Sequence, residues 1–303
     1  MSLYKSTFSI RHLEEFSGVK AHTIRMWEKR YGLLAPDRTG TNIRTYGLDE
    51  LKTILNVAYL NKHGHKISRI AAMPPIARDQ LVRDTSAASP DVLDLLNSLK
   101  LAMLGFDEDL FRSVCDGYLL HHDLRMLVEK LFVPLLEHIG ILWQTNAICP
   151  AQEHFVSNII RHQLIAATAS LPQGTYPKDR TFVLYLPENE IHELGLLFVN
   201  YVLRSKGERT IYLGQSVPSA DLVEVSAVRN GELVLLTILM AEPPAEEIVT
   251  YLGRMRESLS DRRISFMVTG GQMKRLENPE LPPGVRIFGT MNELMAAVDK
   301  LIQ

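Results

Sequence analysis

Cysteine is nearly absent. The 303-residue chain has two, Cys115 and Cys149, isolated from each other and from any metal-ligand spacing, which excludes a disulfide framework and thiolate metal sites. No apolar run reaches the about 18 residues needed to cross a bilayer, and the opening MSLYKSTFSIRHLEE lacks the apolar core of a secretion signal. A cytoplasmic location without membrane contact is therefore expected. A GxGxxG after the first strand of the C-terminal α/β pattern is missing, as is a P-loop, which argues against nucleotide phosphates there. No nucleophile–base constellation stands out, so no enzymatic turnover and no catalytic residue is expected. What is present is an ordinary globular composition, 46% hydrophobic and 22% charged, in a chain long enough for more than one domain.

The net charge of −2 hides an asymmetry. Residues 1–73 carry 12 Lys/Arg against 6 Asp/Glu, whereas the remainder carries 21 against 29. One end suits a polyanion and the other does not. Pattern divides the chain further. Residues 1–75 read as two short helices and a wing, with Ser9 capping IRHLEEFSG, Gly18 making the turn, Gly32 ending the second helix, then a longer helix from about Asp49 to Gly64 and a short one over 66–73 ahead of Pro74–Pro75. In residues 76–172 apolar positions recur at three and four, predicting a four-helix bundle. Residues 178–303 alternate apolar strands (181–187, 210–214, 233–239, 264–270, 285–289) with helical stretches, a doubly wound parallel α/β sheet of Rossmann-like type.

The stretch HTIRMWEKRYGLLAPDRTGTNIRTY resembles the winged helix-turn-helix of MerR-type transcription regulators, through its recognition helix, GLL-x-P exit and R…R-x-Y wing. A recognition helix reads base edges from its N-terminal half, where His22, Thr23 and Arg25 lie. Arg38, Asn42, Arg44 and Tyr46 of the wing are expected to set donors along the phosphates of operator DNA. Trp27, at helical spacing from Ile24 and Tyr31, reads as core.

A second motif raises a different chemistry. ENEIHELG (188–195) places a histidine between the first α/β strand and a helix expected over 191–207, where such folds usually hold a phosphate. A lone imidazole suits a metal that brings its own macrocycle. Glu190-Ile191-His192-Glu193-Leu194-Gly195 resembles the D-x-H-x-x-G loop of cobalamin-binding domains, with glutamate for aspartate. Thr237-Ile238-Leu239 matches their S-x-L, and Gly270-Gly271 their GG. The resemblance implies that His192 ligates cobalt from below and that Glu190 holds its other ring nitrogen. It also implies that Gly195 admits the corrin or its tail, that Thr237 bonds the buried tail, and that Gly270 and Gly271 leave it room.

Trp143, followed after nine residues by Glu153-His154, resembles the W-x9-E-H signature of light-sensing, adenosylcobalamin-dependent MerR-type repressors of carotenoid genes. That family implies Trp143 as a cap on the upper face, Glu153 as a contact to the adenosyl group, and His154 as the upper cobalt ligand after light. It further implies a homo-oligomer, dimer or tetramer, that releases DNA on illumination. The alternatives are a regulator that does not use cobalamin or senses only its supply, and a corrinoid carrier subunit.

Overall fold

The computed structural model describes residues 7–88, 92–144, 148–172, 179–228, 231–261, 263–277 and 279–302. It divides into two compact units, Met1–Ile159 and Ile160–Gln303.

The first unit opens with α1 (Ile10–Ser17) and α2 (Ala21–Tyr31). Ser9 accepts from the His12 amide at 3.2 Å, while His12 Nδ1 accepts from the Ser9 amide, a reciprocal cap with histidine where Glu or Gln usually stands. Both helices end on a left-handed glycine, Gly18 (φ 70°) and Gly32 (φ 62°), each amide returning to a carbonyl four residues back. The wing is small: β1 (Asp37–Arg38) and β2 (Arg44–Thr45) pair antiparallel. Phe8, Leu13, Phe16, Ile24, Trp27, Leu34 and Tyr46 fill the core beneath it, so Trp27 packs as its spacing implies.

α3 (Leu48–Lys62) and the short α4 (Ile67–Ala71) follow as the pattern predicts, with the chain turning at Gly64 (φ 86°) between them. Pro75 then opens α5 (Pro75–Ala88), at the first-turn position where proline's missing N–H costs nothing. Then come α6 (Val92–Gly105), α7 (Glu108–Leu119), and α8 (Leu124–Leu127) continued through a π turn at Val128–Phe132 into α9 (Val133–Gln144). α10 (Pro150–Ala169) completes the four-helix region and runs on into the second unit. Asp107 and Asp123 cap α7 and α8, and Leu99, Phe111, Cys115, Leu131, Phe132, Leu135 and Val156 are buried among these helices.

The second unit contains β3 (Arg180–Pro187), α11 (Leu194–Ser205), β4 (Arg209–Val217), α12 (Ser219–Val228), β5 (Glu232–Ile238), α13 (Ile248–Ser258), β6 (Ile264–Thr269), β7 (Val285–Ile287) and α14 (Met291–Ile302). All five strands are parallel, in the order β4-β3-β5-β6-β7. Every residue of β3 is buried, as a strand covered on both faces requires. Tyr185, Leu235, Leu239, Phe266 and Val268 meet Leu222 of α12 and Ile248 and Leu252 of α13 on one face. The chain leaves β3 for β4 on one side and returns to β5 on the other. The carboxyl ends of β3 and β5 therefore form the topological switch point, where sheets of this kind bind ligands.

Candidate functional site

The motif histidine stands at that switch point. α11 starts at Leu194 rather than at 191, so His192 lies in the loop ahead of the helix. Glu190 organises that loop. Its side chain is fully buried, and Oε1 accepts from the amides of Ile191 (2.9 Å) and His192 (3.0 Å). The same oxygen faces His192 Nδ1 at 2.5 Å. Oε2 reaches across to the loop after β5 and accepts from three consecutive amides, Met240 (3.0 Å), Ala241 (2.7 Å) and Glu242 (3.0 Å). Burial alone would raise the pKa of this carboxyl. The His192 hydrogen bond and the amides of Ala241, Glu242 and His192 outweigh it and hold the pKa at about 2. With Glu190 ionised, Nδ1 is the ring nitrogen that carries a proton and donates to it, and the ring is half exposed.

The other motif residues are placed as follows. Thr237 is buried on β5, on the Tyr185 face of the sheet, and its hydroxyl has no protein partner. An unpartnered buried hydroxyl fits a polar group entering from the switch point. The glycines also stand at close approaches within the fold. A Cβ on Gly270 (φ 130°) would lie 2.2 Å from the Leu239 carbonyl oxygen, so this glycine exists because two strand ends converge. A Cβ on Gly195 would meet the side-chain ends of Ile238 and Met291 at 2.9 and 3.0 Å, where α11 sits close to the end of β5 and the start of α14. Gly271 has only ordinary contacts, the nearest at 3.7 Å.

Glu153 and His154 occupy the first turn of α10, with His154 Nδ1 3.0 Å from Glu153 Oε2 and Ser157 donating to Glu153 Oε1 at 2.9 Å. This is a second glutamate–histidine pair built on Nδ1. Trp143 stands in the last turn of α9, and its side chain lies outside the described residues. Among the other histidines, His121, His122 and His162 are exposed. His138 is pushed down to about 4 by burial and then by Lys100.

In the head, His22 and Arg25 are exposed on α2 and Thr23 is half-buried. Arg38 and Asn42 bond each other across the wing turn at 2.6 Å. Tyr46 departs from expectation: it is fully buried beside Phe8, and its hydroxyl donates to Glu28 Oε2 at 3.0 Å. Burial, and then that hydrogen bond, push its pKa up to about 12. Arg44 donates to Glu28 Oε1 at 3.0 Å, so one carboxylate ties the wing to the recognition helix. Glu28 escaped the sequence reading, although an acid within an otherwise basic helix was the available sign. Glu28→Ala should cost about 1–3 kcal/mol, because it strands a buried hydroxyl. Hydrogen exchange at the Tyr46 amide, which donates to Phe8 O at 2.9 Å, is the readout. Wild-type protection there would refute the linkage.

Residues 8–73 match the family described as MerR HTH family regulatory protein, and residues 95–166 match the B12 binding domain. The chain is 31% identical over 260 residues to the HTH-type transcriptional repressor CarH of Myxococcus xanthus, covering 84% of this chain and 85% of that one. This chain belongs to the CarH family of MerR-type repressors. The HTH-type transcriptional repressor CarA of the same organism is 27% identical over 242 residues, 79% of each chain. As a CarH-family member the chain is a DNA-binding transcriptional repressor with a B12-binding domain, not an enzyme, and its DNA partner is an operator. The monomethylamine corrinoid protein of Methanosarcina barkeri superposes with a TM-score of 0.56 at 15% identity, over 70% of this chain and all of that one, which establishes the shared fold of the B12-binding part. Among the described residues no helix is long and apolar enough to cross a membrane.

Proposed function

We propose that this CarH-family repressor holds adenosylcobalamin and uses it to release operator DNA in light. The observation that carries the reading is the Glu190–His192 pair. A buried carboxylate, itself held by five amides, orients Nδ1 and leaves Nε2 as the nitrogen donor for cobalt. The unpartnered Thr237 hydroxyl supplies a polar contact for the cofactor's tail beside the glycine turn at 270–271. Trp143 and Glu153 serve the upper face. His154, with its Nδ1 beside Glu153, is the second nitrogen donor, for the position opened by light. When bound, adenosylcobalamin supplies a cobalt–carbon bond that visible light breaks.

In the head, Arg25 and His22 face the bases, with Thr23 beside them. Arg38 and Asn42 meet the phosphates, and Arg44 and Tyr46 brace the wing through Glu28. Several heads acting together in a dark homo-oligomer, dimer or tetramer, give the affinity that is lost when it dissociates. Three parts follow from this reading: the DNA-reading head (1–75), the bundle over the upper face (76–172) and the cobalamin sheet (178–303).

The test is the visible spectrum of the protein mixed with adenosylcobalamin in the dark and desalted, before and after green light. Wild type should retain colour and shift on illumination, and His192→Ala should hold the cofactor ~100-fold more weakly. Colour equally retained by the variant removes His192 as the ligand. A light response no different from that of free cofactor favours a sensor of cobalamin supply.

A further inference from the structure

Glu193 follows His192 and is the N-cap of α11. Its carboxylate is 13% exposed and both oxygens are engaged by residues far away in sequence. Oε1 lies 3.1 Å from Arg161 Nε of α10, an ion pair not aligned as a hydrogen bond, and Oε2 accepts the Tyr212 hydroxyl of β4 at 2.9 Å. Burial and then the Glu193 hydrogen bond raise the pKa of Tyr212 strongly, so the phenol stays a donor. The strand pairing of β3 and β4 stands on its own register, and α11 is seated by Leu196, Leu197 and Val199. The network is therefore not needed to build the sheet. The Glu193 carboxylate is largely desolvated while Arg161 keeps partial exposure, and charged pairs of low solvation are best attested where they fix a register.

We propose that Arg161, Glu193 and Tyr212 form a latch that positions the His192 loop against α10. Arg161 is thereby fastened to the residue next to His192, while the Tyr212 hydroxyl holds the other oxygen of the same carboxylate from β4. Arg161 and Glu193 are positioning residues, and the inference rests on the reading of His192 as a nitrogen donor for cobalt.

The experiment has two arms on the full chain. In the cofactor-free protein, Arg161→Met should speed hydrogen exchange at the amides of residues 190–194 about tenfold, while β5 and β6 keep their protection. Arg161→Lys should restore most of that protection. In the second arm, titration with hydroxocobalamin followed in the visible should give about tenfold weaker binding for Arg161→Met, and binding within about threefold of wild type for the lysine variant. Glu193→Gln, which keeps the shape, should repeat the methionine result and stands in if that variant does not fold. Wild-type exchange in the loop of both Arg161→Met and Glu193→Gln overturns the latch. So does loss of protection spread evenly through β5 and β6, the mark of an ordinary stabilising pair. If the wild type takes up no hydroxocobalamin, the assignment of His192 falls, and the exchange arm decides the latch alone.

Discussion

Glu190→Ala is expected to lower unfolding free energy by about 3–5 kcal/mol, the largest cost of any polar substitution in the α/β unit. The variant removes the acceptor of five amides and one ring nitrogen at a site closed to water. The same carboxylate predicts a pH dependence. Its pKa falls from an ordinary 4.5 to about 2 in the fold. The stabilisation is therefore complete above about 4.5 and is lost as pH falls through about 2, and it amounts to about 3 kcal/mol at neutral pH. Urea unfolding of the full chain at pH 7 and pH 3 tests both statements. The difference between wild type and Glu190→Ala should shrink at the lower pH, and a difference that stays constant would refute the account.

Gly270→Ala is expected to cost more than ~4 kcal/mol or to prevent folding. At φ 130° an L side chain is strained in any surroundings, and here the new Cβ would lie 2.2 Å from the Leu239 carbonyl oxygen, backbone that cannot swing away. Gly271→Ala is the control. Its nearest contacts are 3.7 Å away, so it should change stability by less than about 1 kcal/mol. Equal unfolding midpoints for the two variants would show that the convergence of β5 and β6 is looser than this geometry.

Local signals were legible. Ser9, Gly18 and Gly32 declare their helix ends because capping is decided within four residues, and the five apolar runs declare their strands because both faces are covered. Readings failed where a distant partner decides. Tyr46 looks like a wing donor in sequence, and only the packing of Phe8 and the carboxylate of Glu28, 18 positions away, turn it inward. α11 starts at Leu194, because the Glu190 carboxylate is turned back onto the His192 amide and ring and across to the loop after β5, contacts that the local pattern does not announce. Gly195 and Gly270 are visible as motif residues, but the approach of Ile238, Met291 and the Leu239 backbone to them is not, because those partners lie on other elements. Arg161 carries no mark at all, since its meaning comes from a glutamate on another element.

The carboxylate at the switch point also settles what stays out. Amides that converge there form the concavity in which a doubly wound sheet ordinarily cradles a nucleotide's phosphate. In this chain Glu190 is a permanent resident anion, already neutralising the partial charges of Met240, Ala241 and Glu242. A phosphorylated metabolite would have to evict a covalently tethered competitor of the same sign, which no concentration of free ligand dilutes. The amide cradle that this topology offers to a free anion is thus filled from within the chain.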